Sequence, residues 1–279
     1  MKFSQPNADI FVPENELPPP EALARSTHLC IAAHQDDIEI MAYHGIAACF
    51  GRTDRWFTGV VATNGAGSPR AGIYAGFTDA QMQAVRRREQ RKAATVGDYS
   101  IQLQLAHPSA AVKDPANAAV QADLAAIFAV ATPEVVYLHQ PADKHDTHVA
   151  VFTHALTALR ALPAARRPKR VLGCEVWRDL DWLCEADKVL LDVSAHPNIA
   201  AALVGVFDSQ ISGGKRYDLA TAGRRLANAT YHTAHATDQH QGISWAMDLT
   251  PLVLDPALSV DDYTQSFIRR FAAAVARRP

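Results

Sequence analysis

Short apolar runs alternate with longer amphipathic stretches along most of this chain. Residues 28–33, 56–63, 99–105, 134–138, 171–177 and 188–193 are apolar and rich in β-branched or aromatic side chains, and predict six strands. Between them, residues 38–50, 79–96, 116–131 and 147–162 carry the spacing of helices. Gly97 is the expected C-cap of the second helix, and Pro133 ends the third. Strand and helix in alternation predict an α/β fold: a Rossmann-like, mostly parallel sheet with helices on both faces. The last third departs from that rhythm, with helices expected over 197–209, 217–235 and 261–277. One domain over residues 1–279 is expected, with residues 1–24 as an arm on the surface and residues 211–279 as an extra helical extension packed on the same domain. Internal repeats and low-complexity segments are absent from the sequence.

The 279 residues are 48% hydrophobic, which supports a substantial core. A formal net charge of −2 gives no footprint for nucleic acid or an anionic membrane. The polar, Pro-containing start lacks the apolar stretch of a signal peptide, and no run is long enough to span a bilayer, so a cytoplasmic location without membrane insertion is expected. Cys30, Cys49, Cys174 and Cys184 form no paired spacing, so free thiols are expected.

The chemistry concentrates in two places. His34-Gln35-Asp36-Asp37-Ile38-Glu39 lies where the first strand turns into a helix, and His145-Asp146-Thr147-His148 follows the fourth strand. In α/β folds ligands gather at the carboxyl ends of strands. His34 and His148 can supply nitrogens to a cation such as zinc, and one of Asp36 or Asp37 an oxygen. Neighbouring residues diverge in direction, so the other aspartate is free to act as a base on water. His145, one helical turn before His148, suits an oxyanion or a departing amine. The plainer reading is that Asp36 and Asp146 merely cap the helices after them. Two such clusters at equivalent strand ends favour a metal site.

These residues carry a family resemblance. Ala33-His34-Gln35-Asp36-Asp37-Ile38-Glu39 resembles the A-H-P-D-D-x-E signature of the LmbE/PIG-L-like zinc-dependent de-N-acetylases, and His145-Asp146-Thr147-His148 resembles their second motif. Residues 87–94 are similar to the family's R-x-x-E-x-x-x-A helix, and Leu191-Asp192-Val193 with Ser209-Gln210 to later elements. The resemblance implies His34, Asp37 and His148 as ligands to zinc, with iron(II) fitting the same set. It implies Asp36 as general base, His145 as the electrophilic or acid group, and removal of an acetyl group from an N-acetylated amino sugar or its conjugate. Gln35 stands where proline is usual, and Asp146-Thr147 where proline and aspartate are usual, which leaves Asp143 as the substitute partner for the histidines.

Further expectations concern substrate contacts: Asn64 in the turn after the second strand, Arg70 on the loop beyond, Arg88 paired with a neighbour of the ligands, Trp177 against a sugar face, and His240 at the rim. Each competes with a bland role, as turn, solvated charge or core. His232, His235 and His240 resemble a metal cluster only in composition. The partner expected is a small amino-sugar molecule, with assembly into a homo-oligomer left open. A silent carbohydrate-binding protein on the same fold, or an amidase for a thiol-sugar conjugate or antibiotic precursor, are the alternatives. A dinucleotide-binding domain is disfavoured, since an acidic turn replaces the glycine-rich one.

Overall fold

The computed structural model describes residues 1–13 and 17–277. Eight strands form one sheet: β1 (Asp9–Phe11), β2 (His28–Ala32), β3 (Phe57–Thr63), β4 (Ile101–His107), β5 (Val135–His139), β6 (Arg170–Cys174), β7 (Val189–Asp192) and β8 (Ile243–Asp248), in the order β1-β4-β3-β2-β5-β6-β8-β7. The five central strands are parallel, whereas β1 pairs antiparallel with β4, and β8 runs antiparallel between β6 and β7. The helices are α1 (Pro19–Ala24), α2 (Asp37–Met41), α3 (Tyr43–Cys49), α4 (Asp79–Val96), α5 (Ser109–Val112), α6 (Ala118–Val130), α7 (Asp146–Arg160), α8 (Pro197–Gly205), α9 (Asp208–Ile211), α10 (Tyr217–Thr230), α11 (Thr250–Leu254) and α12 (Val260–Ala276). This is the Rossmann-like α/β architecture expected from the apolar runs.

The period of two along each buried strand serves two layers at once. In β2, Leu29 and Ile31 enter one core with side chains of α6 and α7. Cys30 and Ala32 enter the other, with side chains of α2, α3, α4 and α8. Cys30, Cys49 and Cys174 are buried free thiols, and Cys184 is a half-buried one.

Three departures matter. The expected arm contributes β1 and α1, because Asp9 to Phe11 finds the open edge of β4 and Ala22 and Leu23 enter the core. The expected helix over 38–50 is broken at Ala42 (φ −111°, ψ 18°), and the second piece sets Gly45 against the Tyr137 ring, where a Cβ would lie 2.6 Å from Cε2. The C-terminal extension is not wholly helical: Ile243-Ser244-Trp245-Ala246-Met247 alternates into β8 and enters the sheet between β6 and β7. Among the described residues no helix is long and apolar enough to cross a membrane.

Candidate metal centre and its cleft

From β2 the chain steps one way to β3 and β4, and then returns to place β5 and β6 on the other side. The strand order reverses between β2 and β5, and a crevice opens outside their carboxyl ends. His34, Asp36 and Asp37 leave β2 there, and His139, Asp143, His145 and His148 leave β5. The two sequence clusters therefore meet at the switch point, although 114 residues separate His34 from His148.

Three donor atoms converge. His34 Nδ1 lies 3.1 Å from Asp37 Oδ2 and 3.2 Å from His148 Nε2, and those last two are 3.3 Å apart. Ligands on a tetrahedral cation with bonds of about 2.0–2.1 Å stand roughly 3.3–3.4 Å from one another. Two imidazole nitrogens facing each other beside a carboxylate oxygen make a poor hydrogen-bond set and a good ligand set. The electrostatics agree: burial opposes charge on both Asp37 and His148, yet each side chain outweighs it for the other. Asp37 is held well below the usual carboxylate range by His148 and His34, and His148 is raised to about 9 by Asp37 and Asp143. A field that favours an imidazolium there favours a cation seated among these atoms. His34, Asp37 and His148 thus fit a single divalent metal.

His139 is a fourth ring in the cluster, stacked on His148 at 3.9 Å between centroids. Its Nε2 accepts the Ala33 amide at 3.0 Å and is 3.6 Å from Asp37 Oδ2. Burial, reinforced by His148, pushes it well below the usual histidine range. With its Nε2 lone pair engaged, His139 is a neutral prop for the ligands. Asp143 braces the other side: Oδ1 accepts the His145 amide at 2.9 Å and lies 3.5 Å from His148 Nδ1, while Oδ2 accepts the Trp177 amide at 3.1 Å.

Asp36 is fixed differently. Its φ of +91° is in the left-handed half of the map, costly for a non-glycine residue, and it turns the carboxylate away from that of Asp37. The buried Arg86 guanidinium donates to Asp36 Oδ2 at 2.8 Å, to Glu89 Oε2 at 3.1 Å, to Ser209 Oγ at 3.3 Å and to the Gln35 carbonyl. Among the described residues Asp36 Oδ1 has no protein partner, and Asp36 lines the cleft. Burial raises the Asp36 carboxyl above its ordinary value, with Arg86 opposing the rise. Gln90 completes the support. Its Oε1 accepts the Asp36 amide at 3.2 Å and its Nε2 donates to Glu39 at 2.8 Å; burial pushes Glu39 up to about 8.

His145 stands over the ligands, its ring 4.9 Å from His34 and 4.6 Å from His148 between centroids. Its Nδ1 accepts the Thr147 amide at 3.3 Å, so the neutral ring carries its proton on Nε2. Burial, with His148 and His34, lowers its pKa and favours that neutral form.

The cleft over this cluster, ≈ 320 Å³, is bordered by Ser68, Lys113, His145, Trp177, Lys215 and Tyr217. Asp143 and Trp177 are thus at the site. Other expected contacts are not brought there. Asn64 Oδ1 accepts the Ala66 amide at 3.1 Å, a plain turn. Arg70 donates to the Ala66 carbonyl at 2.7 Å and to Asp79 at 2.5 Å, tying the loop to the start of α4. Arg88 is exposed on the outer face of α4, and Arg86, on the face shared with Met82, Glu89 and Gln90, points inward instead. His240 pairs with Asp192 at 3.2 Å, past the end of β7. His232 and His235 lie beyond α10 and are exposed, outside the two groups of potential metal ligands found among the described residues. Sequence reasoning missed His139, Arg86, Glu89, Gln90 and Tyr217. The Arg86, Glu89, Gln90 spacing on a helix face that also carries Met82 and Ala93 was the available signal.

The fold and the convergent donors define a Rossmann-like α/β protein with a His/Asp cluster at its switch point that could hold a metal ion. The chain carries a domain of the PIG-L (LmbE-like) family: residues 29–159 match the family model described as PIG-L, GlcNAc-PI de-N-acetylase. Similar solved structures include a conserved protein from Thermus thermophilus (19% identity, TM-score 0.60, covering 80% of this chain and 94% of that one). The 4-carboxy-2-hydroxymuconate hydratase of Pseudomonas putida is another (18%, 0.59, 80% and 96%), as is the N,N'-diacetylchitobiose deacetylase of Pyrococcus horikoshii (16%, 0.57, 84% and 88%). Likeness at such identities establishes the fold. No curated protein matches the chain.

Proposed function

We propose that the protein is a metal-dependent hydrolase that removes an acetyl group from an N-acetylated amino sugar or its conjugate. The observation that carries this reading is the convergence of His34 Nδ1, Asp37 Oδ2 and His148 Nε2 within 3.1–3.3 Å, beside a second carboxylate turned toward the same cleft. These three residues would hold the ion, zinc or iron(II), which when bound supplies Lewis acidity toward the carbonyl and the attacking water.

The remaining steps belong to the protein. Arg86 holds Asp36 by Oδ2, leaving Oδ1 to accept a proton from water as its oxygen bonds to the amide carbon. His145 donates from Nε2 to the oxygen that becomes negative. The C–N bond then breaks as Asp36 returns the proton to nitrogen, giving a carboxylic acid and an amine, and transfer of the acid's proton to the amine leaves a carboxylate and an ammonium. Asp143 keeps His145 and Trp177 in place through their amides. The family's described activity on GlcNAc-PI and the deacetylase among the structural neighbours support an amino-sugar amide as substrate class.

Metal content by elemental analysis, run with a primary-amine release assay on N-acetylglucosamine compounds, tests the reading. About one zinc or iron per chain with amine release supports it. Asp36→Ala should keep the metal and lose roughly 10²–10⁴ in rate, and His34→Ala should lose the metal. Wild-type rates in Asp36→Ala would remove it from the base role. A protein without metal, inactive when metal is added, sinks the site. One structural neighbour is by name a hydratase, so water addition to an unsaturated carboxylate is the second reading; metal without amine release directs the search there or to a sugar-binding role.

A further inference from the structure

A second chamber, ≈ 200 Å³, opens from the same point as the cleft and shares Asp36, Asp37, Trp177 and Tyr217 with it. The two differ in chemistry. The cleft is lined about equally by polar and apolar atoms and has Lys113, Lys215 and Ser68 on its walls. The chamber is mostly apolar, walled by Ile40, Val176, Trp177 and Ala220. Apart from Asp36 and Asp37, its charged residues are held by other partners. Arg224 donates to the Val176 carbonyl, Arg225 to the carbonyls of Glu39 and Ile40 at 2.8 and 3.1 Å, and Glu175 Oε1 accepts Asn228 at 2.7 Å and the Trp245 amide at 3.1 Å. Glu175 Oε2 and Arg225 Nε are closed to solvent. Away from Asp36 and Asp37, what the chamber offers an occupant is mainly apolar surface.

An amide has two arms, which leave its carbon and nitrogen on opposite sides. With the scissile bond at Asp36 and Asp37, one arm enters each cavity. A hydroxyl-rich amine arm matches the mixed walls of the cleft, and a hydrocarbon arm matches the chamber. An acetyl methyl leaves the chamber nearly empty, since ≈ 200 Å³ is room for about six groups of roughly 30 Å³. We propose that the chamber is an acyl subsite and that the preferred substrates are amino sugars bearing an N-acyl chain of about four to six carbons. The inference rests on the hydrolase reading for its orientation of the amide, and it widens the acyl group that reading names.

The experiment compares N-acetyl-, N-butanoyl-, N-hexanoyl- and N-decanoylglucosamine by amine release, in the metal-loaded wild-type protein and in Ala220→Trp. Each buried methylene contributes about fourfold. The specificity constant is expected to rise at least 30-fold from acetyl to hexanoyl and to fall at decanoyl. Ala220 lies on the exposed side of α10 and walls the chamber, and its replacement by Trp should erase the hexanoyl preference by lowering hexanoyl turnover far more than acetyl turnover. Equal constants along the series, or an Ala220→Trp variant that slows acetyl as much as hexanoyl, would overturn the proposal. If no compound releases amine, the hydrolase reading fails on its own, and calorimetric titration then decides the chamber. Tighter binding of N-hexanoyl- than N-acetylglucosamine, lost in Ala220→Trp, supports an apolar-arm subsite, and equal affinities refute it.

Discussion

Replacing Arg86 removes the one cation that balances two buried carboxylates. Arg86 is 1% exposed, Asp36 and Glu89 are each 4% exposed, and all three lie between α4 and the sheet. In Arg86→Met the Asp36 and Glu89 carboxylates lose charge-assisted bonds of 2.8 and 3.1 Å, and Ser209 Oγ and the Gln35 carbonyl lose a donor. Breaking a buried pair by deleting one partner costs about 3–5 kcal/mol, because the charge left behind is desolvated and unpaired. With a urea m-value of about 3 kcal/mol/M, the midpoint should fall by roughly 1–1.7 M at unchanged m. The control is Arg86→Met with Glu89→Gln. Neutralising Glu89, left without a counter-charge and held only by the Ser209 amide and hydroxyl at 2.7 Å each, should restore about 1–2 kcal/mol relative to the single variant, although it is a second change in the same core. Chemical denaturation followed by tryptophan fluorescence measures both. A loss below about 1 kcal/mol in Arg86→Met, or a double variant no more stable than the single, would refute the account of Arg86 as charge balance for this turn.

Burial lowers the His28 pKa to about 4, so the unfolded chain binds a proton between pH ~6.5 and that value while the folded protein does not. Stability therefore falls as pH drops through this window, and the advantage of the wild type over His28→Gln should shrink by about 2 kcal/mol between neutral pH and pH ~5; parallel pH–stability curves would exclude it. Asp143→Ala removes the acceptor that positions His145 and Trp177 and flanks His148, and should weaken metal affinity about 10–100-fold in a chelator competition; unchanged affinity would show that the ligands need no such brace. Gly65 has φ +74°, and a Cβ there would lie 2.8 Å from Gln35 Oε1 and 3.0 Å from Arg86 Cβ. Gly65→Ala should lower stability by about 2 kcal/mol, from backbone strain and the displaced Arg86 together, and a thermal melt like that of the wild type would argue against it.

Strand existence was legible because strands buried on both faces read as short, largely apolar runs, even where β4 buries Gln102 and Gln104, and β2 to β6 each stand within a residue or three of those runs. What local pattern does not carry is which edge a strand finds. Asp9–Phe11 is too short to register as a strand until β4 offers it partners, and Ile243–Asp248 alternates cleanly yet takes its meaning from the gap between β6 and β7. The terminal helices were legible in place but not in number or length: the expected helix over 197–209 divides into α8 and α9, and the short α11 was not foreseen. Residues 217–235 contain an amphipathic helix that stops at Thr230, after which His232 and His235 continue the polar composition without the backbone.

The site divides along the same line. Ligand candidates could be named from the sequence because each cluster is local: three side chains within one strand-to-helix turn, and a helix start one strand layer away. That they form one site depends on the sheet reversing direction between β2 and β5, which a sequence signals only as the order of its elements. The supporting residues were harder to see, because their chemistry contradicts their setting. Arg86, Glu89 and Gln90 have the composition of a solvated helix face, and Arg88 beside them is the one that is solvated. They are buried because Asp36, held at φ +91°, needs a counter-charge and a held amide, and α4 passes at the distance where a guanidinium and a carboxamide supply both. A polar stripe on a helix that packs against a sheet therefore points to what lies across from it. Here that is the turn whose strain orients the second carboxylate toward the cleft, so Gln90→Leu, which keeps the volume and removes the carboxamide, should relax Asp36 without touching any ligand atom.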